Sequence, residues 1–187
     1  DYDYASEYKI RYNGTPCTVT IPTQTQAVLI KSAYDTLYNV VADVNVRDFG
    51  AKGDGKTNDT AAFKAAIAAV ETMGGGTVYA PPGYYCLTES LSLPALCTLA
   101  GDLKPGTAEG TVLCIYGGKG TTDRAQAAVI CGPHASVQNI AFWYPEQTIV
   151  GGQAIPYPAA INQNYINGLT VRNVTFVNAY RGIDAVQ

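Results

Sequence analysis

The sequence predicts an all-β solenoid, a stack of short strands preceded by one helix. Three observations lead there. After residue 76, short apolar–polar stretches are separated by turn residues with no helical periodicity between them, so the alternation of a doubly wound sheet is missing. The pattern V-x-N-[I/V]-x-F occurs at Val137–Phe142 and again at Val171–Phe176, and repetition of short strands on a fixed pattern marks a solenoid. Charged residues make up only 14% of the 187 residues, and Gly, Thr, Asn, Gln and Tyr fill their places, a composition suited to strands and turns.

The elements follow in chain order. Residues 1–43 read as an N-terminal arm with a hairpin. Tyr8–Tyr12 and Thr18–Ile21 alternate, Asn13-Gly14 offers the turn, and the connection is longer than the two-residue ideal. Ala33–Val41 could form a short helix. Val44–Phe49 alternates like a half-buried strand, and a Gly-rich loop runs from Gly50 to Thr57. The next segment is the clearest helix. Asp59 or Asn58 can cap it, Phe63, Ala66, Ile67 and Val70 form one apolar stripe, and Gly74-Gly75-Gly76 stops it. Strands are then expected at Thr77–Ala80, Tyr84–Leu87, Cys97–Ala100, Thr111–Tyr116, Ala127–Cys131, Ser136–Trp143, Ala159–Asn162, Gly168–Val177 and Gly182–Val186. In the two repeat copies, Asn139 and Asn173 fall at the same place, where an amide side chain can satisfy turn backbone.

Charge and composition exclude several classes. With 12 Lys+Arg against 15 Asp+Glu and no basic run, binding of nucleic acid through phosphates is not expected. No apolar run approaches the ~20 residues of a membrane span. The start Asp-Tyr-Asp-Tyr has neither a basic region nor an apolar one, so it does not read as a signal peptide. Both ends read as cut, so a truncated piece is expected. Cys17, Cys86, Cys97, Cys114 and Cys131 show no zinc spacing, and buried free thiols are the expectation. Neither metal nor cofactor is expected. Asp48, Asp54 and Asp59 lack the order of calcium ligands in an EF-hand and suit turn and cap hydrogen bonds. His134, the sole histidine, reads as an exposed turn residue.

Gly50–Thr57 formally matches the phosphate-binding pattern GxxxxGKT. A nucleotide site is not expected. The preceding segment alternates where a P-loop strand would be continuously apolar, and Asn58-Asp59 separate Lys56-Thr57 from the helix.

The stretch Val46–Gly55, followed by Asn58–Phe63, Ala66-Ile67 and Gly74–Tyr85, resembles the N-terminal signature of the pectate-lyase-like superfamily. The resemblance implies a single-stranded right-handed parallel β-helix whose open end is covered by the capping helix, with residues 44–187 forming the cap and first coils. Remaining coils of the same β-helix, or a partner chain, would complete it. It also implies a carbohydrate partner and a secreted or cell-surface location. A glycoside hydrolase using Asp/Glu acid/base chemistry on a polysaccharide or oligosaccharide is the first expectation. A non-catalytic glycan-binding or tailspike-type module is the alternative, and a polysaccharide lyase a further one.

Site candidates come from two places. The insertion that opens at Trp143-Tyr144-Pro145-Glu146-Gln147 and closes at Tyr157 carries rings for a sugar's C–H face and polar groups for its hydroxyls. Trp143, Tyr144, Gln147 and Tyr157 are therefore expected to bind substrate, and Glu146 is a candidate acid or base. The second place rests on aligning Ile161-Asn162 with Ile183-Asp184, about 22 residues apart. If both isoleucines point inward, Asn162 and Asp184 point outward and stack one rung apart. Asp184 is then the best carboxylate candidate and Asn162 a binding residue. The absence of an Arg/Lys cluster favours a neutral glycan over a uronate.

Overall fold

The structure, a computed structural model, describes residues 7–12, 15–20, 43–104, 106–165 and 167–185. The chain divides into two units, Asp1–Val40 and Val41–Gln187.

In the first unit, strands β1 (Glu7–Tyr12) and β2 (Thr15–Thr20) pair antiparallel, from Glu7 opposite Thr20 to Tyr12 opposite Thr15. The second strand starts earlier than expected. Only Asn13 and Gly14 separate the two, and a two-residue Asn-Gly connection is the strongest short-range hairpin signal. The helix expected over Ala33–Val41 lies outside the described residues.

The second unit is the parallel β-helix with its cap. Its first coil holds β3 (Asp43–Asn45), β4 (Asp54–Asn58) and helix α1 (Thr60–Thr72). The second holds β5 (Gly76–Ala80), β6 (Gly83–Leu87) and β7 (Leu91–Leu93), and the third β8 (Cys97–Gly101), β9 (Thr111–Ile115) and β10 (Val129–Cys131). The fourth runs through β11 (Ser136–Trp143), the small antiparallel pair β12 (Ile149–Val150) and β13 (Gln153–Ala154), and β14 (Ala159–Asn162). The fifth contains β15 (Thr170–Val177) and β16 (Arg181–Asp184).

Equivalent strands stack in parallel and form three faces. The first face runs β3-β5-β8 and then the start of β11, with Val44, Val78, Leu99 and Val137 in register. The second runs β4-β6-β9 and then the end of β11, with Tyr85, Leu113 and Phe142 in register. The third is β7-β10-β14-β16, with Leu91, Val129, Ile161 and Ile183 in register. Strands β11 and β15 belong to two faces because each bends at an asparagine. Asn139 and Asn173 adopt left-handed backbone, φ 57° and 48°, which asparagine tolerates better than most side chains. Asn173 Nδ2 donates to Asn139 Oδ1 and to the carbonyl of Leu103, each at 3.0 Å. The repeat noted in the sequence is therefore a stacked corner, with Val137 over Val171 and Phe142 over Phe176.

Inward side chains fill the coil. Leu87, Leu91, Leu99, Leu113, Val129, Val137, Ile140 and Phe142 are all buried, each worth ~1.5–3 kcal/mol against leaving it exposed. Helix α1 closes the N-terminal end by laying Phe63, Ala66, Ile67 and Val70 on that core. An uncovered end would otherwise expose apolar surface and strand edges.

Local departures from expectation have local causes. Val46–Phe49 is a 3-10 turn, not the continuation of a strand, because Asn45 Oδ1 accepts from Arg47 N at 2.9 Å and starts the turn, and Gly50 at φ 97° ends it. Part of the Gly-rich loop is strand β4. The Asp54 side chain organises it by accepting from Lys56 N, Thr57 N and the Thr57 hydroxyl at 2.8–2.9 Å. These bonds, led by that from Thr57 N, hold its carboxyl down at about 2. The two cap candidates divide their work. Asn58 Oδ1 accepts from Thr60 N at 3.0 Å, whereas the buried Asp59 turns back to accept from Lys52 N and Gly53 N at 2.6 and 3.2 Å. Strand β7 and the β12–β13 pair were not anticipated, because two- and three-residue strands are too short to carry a period.

Candidate functional site

Side chains alternate along each strand, so the outward residues of the three faces form separate surfaces. On the third face the outward register runs Ser92, Ile130, Asn162, Asp184. The alignment made from the sequence holds. Ile161 is fully buried, Ile183 lies in register with it, and Asn162 pairs with Asp184. Ile183 itself is 46% exposed, since no described rung covers its far side.

The connection between β9 and β10 folds over this surface. It contains a short 3-10 turn, Arg124–Gln126, started by the Asp123 carboxylate, which accepts from Ala125 N at 3.0 Å. Arg124 links three residues. Its Nε lies 2.9 Å from Asp184 Oδ2. One terminal nitrogen donates to the Tyr165 hydroxyl at 2.8 Å, and the other reaches Asn162 Oδ1 at 3.4 Å. Its guanidinium also stacks on the Tyr165 ring, 4.5 Å from the centroid. Asn162 Nδ2 donates to the Arg124 carbonyl at 3.0 Å, so an outward-facing asparagine is almost completely buried. Tyr165 is 68% exposed. The arrangement presents a carboxylate, a guanidinium, a phenol and an amide on one wall of the coil. Among the described residues, no three His, Cys, Asp or Glu side chains converge in a way that could hold a metal ion.

The other sequence-derived candidates do not gather here. Tyr144 and Tyr157 are core residues, 1% and 0% exposed, packed edge to face with centroids 5.0 Å apart. Burial pushes both phenols up. They anchor the insertion and are not placed to touch a sugar. The Gln147 side chain is consumed in holding the loop, donating to Ile155 O at 2.9 Å and accepting from Ile155 N at 3.0 Å. Glu146 pairs with Lys119 at 2.9 Å and follows the end of β11, which belongs to the second face, so it is not on the wall that carries Asp184. Trp143 points outward from that second face, edge to face with Tyr84 at 6.4 Å.

Arg124 and Tyr165 were missed in the sequence. Neither lies in a repeat or a recognisable spacing, and both come from coil connections whose path depends on the tertiary fold. Among the described cysteines with placed side chains, Cys86, Cys97, Cys114 and Cys131 are free and buried, as expected. Burial raises the thiols of the last three to about 12. His134 is an exposed turn residue at φ 56°. Among the described residues no helix is long and apolar enough to cross a membrane.

Comparison with known proteins gives the context. The chain is 65% identical over 43 residues to alginate lyase 7 of Azotobacter vinelandii, a stretch covering 23% of this chain and 5% of that enzyme. Mannuronan C5-epimerase AlgE3 of the same organism is 63% identical over 43 residues, covering 23% of this chain and 2% of that enzyme. A probable glucan endo-1,3-beta-glucosidase of Arthroderma benhamiae is 39% identical over 67 residues, 31% of this chain and 8% of that protein. The matched stretches are thus a small part of the length of these carbohydrate-active relatives. Among solved structures, the pre-mature gene product 12 of bacteriophage phi29 superposes with a TM-score of 0.51 at 21% identity, over 80% of this chain and 19% of that one, a likeness of fold. A family described as rhamnogalacturonase A/epimerase, pectate lyase-like, matches residues 43–144. That match spans more than half of the sequence, and the chain belongs to this pectate-lyase-like β-helix family.

Proposed function

We propose that the chain forms the capped N-terminal coils of a secreted or cell-surface enzyme that acts on a uronate-containing polysaccharide, and that the outward wall of β7-β10-β14-β16 binds that polymer. The observation that carries this reading is Asp184 in register with Asn162 on an outward parallel face, with Arg124 and Tyr165 set against both. A lyase and a C5-epimerase share a first step, removal of the proton from the carbon next to the uronate carboxylate. That step needs a base and a cation to hold the carboxylate. Asp184 is the assigned base and Arg124 the cation. The exposed ring and hydroxyl of Tyr165 would position the sugar. The names of the alginate lyase and mannuronan epimerase relatives favour this chemistry. The neutral glycan expected from the sequence gives way here to a uronate, since Arg124 supplies the cation that sequence reading did not find.

Hydrolysis is the second reading, favoured by the glucosidase relative. It requires two carboxylates flanking the scissile bond. Asp184 would be one, and the second would have to come from residues outside those described on this wall.

The test is incubation with oligomannuronate and with a β-1,3-glucan oligosaccharide. Formation of an unsaturated uronate, or conversion at C5 seen by NMR, both abolished by Asp184→Asn, is the expected result. New reducing ends from the glucan without either product support hydrolysis. Binding without turnover supports a glycan-binding module. No interaction with either sugar overturns the assignment of the wall.

A further inference from the structure

We infer that a second sugar subsite lies at the cap end of the same wall, in a cleft of about 330 Å³ between helix α1 and the β6–β7 and β9–β10 connections, and that it takes one acidic sugar ring through Lys64. The inference rests on the reading of the third face as a polysaccharide wall.

The cleft is assembled from four segments. Lys64 comes from the first turns of α1, Thr88, Glu89 and Ser90 from the connection into β7, Ile115 and the Gly117-Gly118 pair from the end of β9, and Gln126 from the 3-10 turn. Its volume is at the small end of ligand pockets, which suits one or two rings and not a long segment. The glycines are required by close packing. A Cβ on Gly117 would stand 2.8 Å from the Thr88 carbonyl oxygen, and one on Gly118, at φ 74°, would stand 2.7 Å from Pro158 Cδ.

The lining has the chemistry of a sugar site. Ile115 and Ala128, both buried in the core, close the floor of the cleft with apolar groups. Among the described residues, the Ser90 hydroxyl and the Gln126 amide have no hydrogen-bond partner, leaving donors and acceptors for hydroxyls. Lys64 supplies the cation. It is ion-paired with Glu89, but the two side chains are 46% and 65% exposed, and exposed pairs of this kind are worth little. A uronate carboxylate can therefore replace Glu89 on Lys64 at small cost. Glu89 then opposes an acidic ligand by like charge, which gives the two members of one ion pair opposite effects on binding.

Continuity with Asp184 comes through the 3-10 turn. Gln126 faces the cleft while Arg124, in the same turn, holds Asp184 and Asn162. A neighbouring depression shares Lys64 and Ser90 with the cleft and adds Ser92, the first outward residue of the wall. From Ser92 to Asp184 is three strand spacings, about 14 Å, a few rings of a polymer.

The test is calorimetric titration with hexamannuronate and, as a control, a neutral glucan hexamer. Lys64→Gln should weaken hexamannuronate binding by about tenfold, and Glu89→Gln should tighten it by about threefold, with the neutral hexamer unmoved by either. Both positions are exposed, so unchanged melting temperatures serve as the folding control. Equal weakening by both substitutions, or no change in either, overturns the subsite. If Arg124→Gln still abolishes binding in that case, the reading of the third face survives. Failure of the unsubstituted chain to bind hexamannuronate overturns both.

Discussion

The outward surfaces of the second and third faces come from the same coils, yet they differ in kind. On the second, Cys86, Val112, Cys114 and Ala141 are buried beneath Leu103, Tyr116 and Trp143, so the outside of that sheet is a small second core. On the third, the corresponding positions are Ser92, Ile130, Asn162 and Asp184, of which Asn162 and Asp184 are held by hydrogen bonds and an ion pair to the Arg124 turn. Both faces are overlain by connections, and the difference lies in what they bury. Apolar burial outside the second face adds stability, whereas polar burial outside the third holds Asn162 and Asp184 at fixed geometry. A parallel β-helix thus gives its faces different chemical surfaces, and the side of a strand on which a residue points matters more than its place along the chain.

The largest expected effect that could break this comparison is a polar side chain placed on each surface. Cys114→Asp should destabilise the fold by roughly 3–5 kcal/mol, because the carboxylate would be buried without a partner. Ile130→Ser, on the outward side of the third face and only half-buried, should cost under about 1 kcal/mol. Denaturant melts of both variants check this, and similar losses would mean that the faces are not distinct.

Alkaline pH should act next. Burial raises the Cys114 thiol to about 12 from an ordinary value near 9. Between those values the unfolded chain has released a proton that the folded chain retains, so stability falls as pH rises. The contribution is fully present below pH ~9 and is lost progressively towards pH ~12. Cys97 and Cys131 inside the coil behave the same way. Cys114→Ala should flatten the decline in denaturation midpoint over this range by its own share. An unaltered slope would show that the second face admits water.

A smaller effect is expected at the corner joining the first and second faces. Asn173→Ala should cost about 1–2 kcal/mol, from the left-handed backbone and the lost bonds to Asn139 and Leu103. Asn173→Gly should cost less, since it keeps the backbone freedom. Equal costs would assign the corner to the side-chain ladder alone.

The amino-acid sequence by itself determined the alternation and the repeats. Val137–Phe142 and Val171–Phe176 stack because identical alternation in successive coils has one register that buries its apolar set, and a slip by one residue would turn every side chain over. The same logic places Asp184 beside Asn162 from sequence alone. The capping helix was legible from its stripe, and the asparagine corners from the repeat. Tertiary structure decided the rest. Tyr144 and Tyr157 read as sugar platforms until the coil enclosed them, because an aromatic residue has the same local pattern in a loop anchor and in a binding site. Arg124, Tyr165 and Lys64 carry no local signal at all. They meet Asp184, Asn162 and Glu89 only after connections of different length fold back over one wall, and the path of such connections depends on long-range packing, which no short window of sequence records.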